Sequence, residues 1–223
     1  MHPYISDLIT AVEPHADPAA AVPMKAYMRN QFEYLGIKSG RLSELRKAFI
    51  EQHGLPKLTD LDQILRELWD LPQREYQYLA LGLLDKLWQD LPAESITTLE
   101  HLLITKSWWD TVDSLAGTSI GRHFKRFPEV REVYLAKWRS SDYFWLRRTC
   151  LLFQLGYKKD TDFELLKAII LENLGSKEFF INKAIGWALR TYARVDAPAV
   201  VDFVSTTPLH SLSAREALKR VNV

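Results

Sequence analysis

Residues Thr105–Ser114 read TKSWWDTVDS and crowd together side chains that can do chemistry. Trp108 and Trp109 stand directly before Asp110 and Asp113. An ionised carboxylate accepts hydrogen bonds and orients water, and both a carboxylate and an aromatic face stabilise a nearby cation. On a helix, positions four apart share a face. Trp108, Val112 and Leu115 then make an apolar stripe, the expected core side. Trp109 and Asp113 fall on a second face, followed by the small residues Ala116 and Gly117. That face offers one ring and one acid with room above them. Asp110 reads as a solvated or capping residue.

The elements that must hold this face are helices. Apolar residues recur at three- and four-residue spacing in DLDQILRELWDL, YLALGLLDKLW, ITTLEHLLITK and REVYLAKW. Pro72, Pro92, Pro128 and Pro198 precede or open such segments, as proline at a first helical turn should. Alternating β-branched runs are missing, so the fold class is all-α. The 223 residues are 47% hydrophobic and 26% charged, the balance of a soluble globular protein. No apolar run approaches the about 20 residues of a membrane helix, and MHPYISDLIT lacks the basic-then-apolar pattern of a signal peptide. The one cysteine, Cys150, excludes an internal disulfide and a Cys-cluster metal site. The expectation is a cytoplasmic monomer with no membrane partner, metal or cofactor. Residues 1–100 carry 10 Lys+Arg against 15 Asp+Glu, and residues 101–223 carry 19 against 13. The halves are thus −5 and +6, a pointer to a polyanion that chance scatter would explain about as well.

A step of 35 residues organises the rest. It joins Arg74, Trp109, Phe144 and Phe179, and also Tyr78, Asp113, Arg148 and Lys183. It further joins Leu45, Ala80, Leu115, Cys150 and Ile185, which read as one core position repeated. A period of 35 to 45 residues built from helix pairs marks an α-solenoid. The expected architecture is a single α-solenoid domain of helical pairs over residues 1–223, curved into a C-shape with a concave face. Its inner wall would carry Trp109, Asp113, Phe144, Arg148, Phe179, Lys183, Trp187 and Arg190. Basic groups interleaved with aromatics suit a nucleic-acid backbone. Taken singly, Trp187 and the two phenylalanines also fit core filling. Lys183 and Arg190 also fit a solvated helix face, and Arg148 a structural ion pair with Asp113.

At these residues the chain resembles the AlkD family of HEAT-like-repeat DNA glycosylases, which remove alkylated purines. The resemblance covers nearly the whole sequence, through PMKAYMRNQFEYLGI, ILRELWDLP, TKSWWDTVDS, LRRTCLLFQLGYK, GSKEFFINKAIGWALRTYA and SAREALK. The WWD-x-x-D and KAIGW-x-LR segments carry most of its specificity. It implies that Trp109, Asp113 and Trp187 belong to the catalytic site, and that Arg148 and Tyr27 contact DNA. Lys183 and Arg190 join the DNA-binding set from the wall pattern above. The loop Ile37–Arg41 reads IKSGR and departs from the family text, so no phosphate contact is carried over to it.

The implied substrate is a purine alkylated at N3 or N7 in double-stranded DNA. Its positive charge weakens the glycosidic bond, and the base leaves neutral. Charge then moves to the sugar, giving an oxocarbenium-like transition state that one carboxylate can stabilise. No lysine stands as a Schiff-base nucleophile, so a monofunctional hydrolase is expected; the resemblance further implies a bacterial enzyme that works without base flipping. The alternatives are a non-catalytic α-solenoid binding DNA structures or a protein, and an RNA-binding repeat.

Overall fold

Each periodic apolar run of the sequence has become a helix. The computed structural model describes residues 1–219, which fold as an all-α, α-solenoid-like helical repeat. Chain contacts divide it into two compact units, Met1–Lys106 and Ser107–Val223. Among the described residues no helix is long and apolar enough to cross a membrane.

The first unit holds α1 (Pro3–Val12), α2 (Pro18–Tyr27), α3 (Ser39–His53), α4 (Leu58–Asp70), α5 (Arg74–Leu87) and α6 (Ile96–Ile104). Helix α1 packs on α3 and α4, and α5 packs on α3 and α4. The apolar stripe of α4, Leu61, Ile64, Leu65 and Leu68, is buried at its three- and four-residue spacing. An acid is buried here too. Glu75, fully enclosed at the start of α5, accepts the backbone N–H groups of Leu35, Gly36 and Ile37 at 2.9, 2.9 and 3.1 Å. Three donors on one carboxylate offset its desolvation and fasten the loop that leads into α3.

The second unit begins with α7 (Trp109–Ser114), which runs through a π-helical turn (Leu115–Ile120) into α8 (Gly121–Arg126). There follow α9 (Pro128–Arg139), α10 (Phe144–Leu152), α11 (Phe163–Glu172), α12 (Phe179–Tyr192), α13 (Ala197–Thr206) and α14 (Ser211–Ala217). Asp162 and Asp196 cap α11 and α13, each accepting from a first-turn N–H. Helix α10 packs against α7, α9 and α12, and α12 packs against α14.

The 35-residue step is written into this architecture. Arg74, Trp109, Phe144 and Phe179 are the opening residues of α5, α7, α10 and α12. The repeated apolar position is buried throughout, with Leu45 at 9% exposure and Ala80, Leu115, Cys150 and Ile185 at 1% or less. Side-chain bonds inside each unit span nearly the same interval, 36 residues. Trp69 Nε1 donates to the Thr105 carbonyl at 2.8 Å, Tyr143 Oη lies 2.7 Å from Ser107 Oγ, and Tyr157 Oη donates to the Gly121 carbonyl at 2.6 Å.

One glycine decides how closely α14 can approach. A Cβ on Gly186 would stand 2.5 Å from Glu216 Cβ and 2.8 Å from the Ser213 carbonyl oxygen. Ser213 Oγ also donates to the Asn182 carbonyl at 2.8 Å, so α14 is stitched onto α12. Gly186→Ala is therefore expected to destabilise the protein by about 1–3 kcal/mol through overpacking. The shift in urea midpoint at unchanged slope measures it; an unshifted midpoint would refute the tight approach.

Candidate functional site

The residues that the sequence singled out in the C-terminal half all lie in the second unit, on α7, α10 and α12. Helix α7 opens at Trp109, with Trp108 just before it in extended conformation. Trp108 packs inward, its ring 5.9 Å from Trp145 and 5.3 Å from Phe180. Val112 and Leu115 are fully buried, completing the expected core stripe. Trp109 and Asp113 remain half-buried on the other side. The small residues after them differ from the open floor expected. Ala116 is enclosed where α7 passes into the π turn, and Gly117 sits against Leu155. A π turn adds a residue to the helical turn and is frequent at functional sites.

Asp113 has a specific partner. Arg148 Nε donates to Asp113 Oδ1 at 2.7 Å and Nη2 donates to Oδ2 at 2.8 Å. This is a fork-to-fork pair, the geometry that suits an ionised, acceptor-only carboxylate. The arginine side chain is 4% exposed and the aspartate 16%. Arg148 Nη1 donates to the Phe180 carbonyl, and the guanidinium carbon lies 5.8 Å from the Phe180 ring centroid. Burial pushes the Asp113 carboxyl above the usual range, the bonds and charge of Arg148 oppose that rise, and Asp110 adds to it.

The placement of Arg148 differs from a phosphate contact at the surface. Its guanidinium is buried and its donors point to Asp113 and Phe180, which is the ion-pair reading weighed beside it. Phe144 and Phe180 stack with parallel rings 6.3 Å apart, and Phe144 lies 4.6 Å from Trp145. Phe144 thus belongs to an aromatic cluster beneath the face, whereas Phe179 is 53% exposed at its edge. Tyr27, at the end of α2 in the first unit, is 72% exposed.

Helix α12 supplies the other half of the set. Lys183, Trp187 and Arg190 lie at i, i+4 and i+7, and all three are half-exposed. They line a cleft of about 520 Å³ together with Arg194, Glu216 and Lys219. Glu216 is the functional neighbour that the sequence reading missed. It salt-bridges Lys183 Nζ through Oε1 at 3.0 Å and Arg190 Nη1 through Oε2 at 2.5 Å. The hydrogen bonds from Lys183 and Arg190 pull its carboxyl down to about 2, well below the usual range. A signal existed in the sequence. The 35-residue step through Tyr76, Thr111, Leu146 and Ile181 is a buried register, and it lands on Glu216.

The second unit therefore carries an anchored carboxylate, partly exposed rings and a cleft in which cations outnumber acids. The chain matches the model of a family described as DNA alkylation repair enzyme over residues 8–221. A solved structure, described as a predicted DNA alkylation repair enzyme from Enterococcus faecalis, is similar in fold with a TM-score of 0.86. The two are 30% identical over 93% of this chain and 97% of that one. No curated protein matches the sequence.

Proposed function

The chain belongs to the DNA alkylation repair enzyme family, and from that premise we propose that it is a monofunctional DNA glycosylase of the AlkD type. It hydrolyses the N-glycosidic bond of purines alkylated at N3 or N7 in duplex DNA. The observation that carries this reading is the Asp113 carboxylate, on the helix that Trp109 opens, held at both oxygens by Arg148.

A cationic purine is already a good leaving group, so the barrier lies in the charge that develops on the sugar. Each carboxylate oxygen has a second lone pair beyond the one that Arg148 uses. Asp113 can therefore accept a hydrogen bond from the attacking water while its charge faces the oxocarbenium-like sugar. A unit charge at about 4 Å is worth about 4 kcal/mol at an effective dielectric of 20, and Arg148 on the far side offsets part of it. Trp109 and Trp187 add cation–π attraction of about 0.5–2 kcal/mol each. Lys183 and Arg190, with Tyr27 of the first unit, contact the DNA backbone. No deep pocket is needed to reach a sugar, so the base can stay stacked during hydrolysis.

The buried Asp113–Arg148 pair also fits a non-catalytic solenoid that only binds DNA. One assay separates the two. Duplex DNA treated with a methylating agent is incubated with the protein at low salt and near-neutral pH, and free 7-methylguanine is quantified. Release well above the spontaneous rate is expected. Release at the spontaneous rate would leave only the binding reading.

A further inference from the structure

We propose that Glu216 is a positioning residue for the DNA-facing side of α12, holding Lys183 and Arg190 as an ordered pair of cations that receives a backbone phosphodiester beside Trp187. The ligand class rests on the DNA repair reading above; the geometry around Glu216 stands apart from it.

The acid lies underneath and the cations point outward. Its side chain is 10% exposed, against 39% for Lys183 and 25% for Arg190. Each carboxylate oxygen takes one cation, and Arg190 Nη1 also donates to the Glu216 backbone carbonyl at 3.3 Å. That engages one amine donor of Lys183 and one guanidinium nitrogen of Arg190, so further N–H donors remain on both for an incoming anion. Arg194 and Lys219 line the same cleft, leaving a positive surplus over a single acid. Two long side chains that would otherwise repel and sample many rotamers are instead set at fixed places on either side of one indole.

Helix α14 is also docked on α12 by contacts that do not use the Glu216 carboxylate, the close backbone approach at Gly186 and the Ser213–Asn182 bond. Its carboxylate is spent on the two cations, which is why a role in placing them follows better than a role in packing.

The test is Glu216→Gln, which keeps the shape and one acceptor oxygen but removes the charge. Undamaged duplex DNA is the probe for binding over a salt series, and methylated duplex is the probe for release at saturating enzyme. Removing the acid should leave affinity equal or higher, with a salt slope steeper by up to about one unit, because the bare cations release more counterions. Saturated release should nonetheless fall about 5- to 10-fold, since misplaced contacts lose alignment at the sugar. Adding Arg190→Gln should then lower the rate no further than Arg190→Gln alone, as expected if the acid acts through that arginine. An unchanged slope together with an unchanged saturated rate would overturn the proposal. So would rate losses that track the folded fraction, or that multiply in the double variant. If the wild-type protein releases no 7-methylguanine, the glycosylase reading fails, and the salt slope of Glu216→Gln still decides whether this acid governs a phosphate site.

Discussion

Asp113→Asn is expected to lower saturated release of 7-methylguanine by about 10- to 10²-fold, the part of an about 4 kcal/mol charge effect that survives opposition from Arg148. The same change strikes the fold. An asparagine turns an amide N–H₂ toward the Arg148 fork and leaves a guanidinium of 4% exposure without its counter-charge. Removing one partner of a buried pair costs about 3–5 kcal/mol, a large part of the 5–15 kcal/mol that stabilises an ordinary domain. A lost activity alone would thus be ambiguous. The combination Asp113→Leu with Arg148→Met resolves it, because replacing both members of a buried pair by apolar groups is often neutral or stabilising. The double variant should regain much of the melting temperature and none of the release activity. Recovery of release along with stability would show that Asp113 matters only to the fold.

What was legible in the sequence was what periodicity can encode. The interval of 35 residues marked the first residue of α5, α7, α10 and α12, because each repeat must present its apolar stripe in the same phase to be buried. Helical geometry likewise separated Trp108, Val112 and Leu115 from Trp109 and Asp113. Two things escaped that logic. Ala116, placed by ideal geometry on the open side, is enclosed at the junction of α7 with the π turn at Leu115–Ile120, a packing contact that helical spacing does not encode. And the partners of Lys183 and Arg190 depend on how near α14 comes, which rests on the missing Cβ of Gly186, not on any residue's polarity. A register of buried residues ending in an acid was the trace of that contact. Polarity alone would have assigned Glu216 to solvent.

Arg148→Met separates the two roles open to this arginine, a surface contact to phosphate and a buried support for Asp113. The geometry favours the second, since two of its donors meet the carboxylate and a third meets the Phe180 carbonyl. Burial already pushes the Asp113 carboxyl upward, and Arg148 is the group that restrains the rise. Without it, the carboxyl must climb further. A raised carboxyl protonates earlier as pH falls, so the acid limb of the rate profile should move to higher pH. The release rate should drop on the acid side of the profile, with recovery as pH rises after correction for spontaneous loss. Stability carries the same sign. Between the unfolded value of about 3.9 and the raised folded value, the native state binds more protons than the unfolded chain. The stability linked to this proton is full below that window and is lost as pH rises through it. Melting temperature should therefore fall from pH 4 toward neutrality more steeply in Arg148→Met than in the wild type. A phosphate contact predicts the reverse pattern, with weaker duplex affinity, a salt slope reduced by about one unit and a pH profile that does not move. The displacement of the acid limb is the decisive reading, because a lost phosphate contact leaves Asp113 titrating as before.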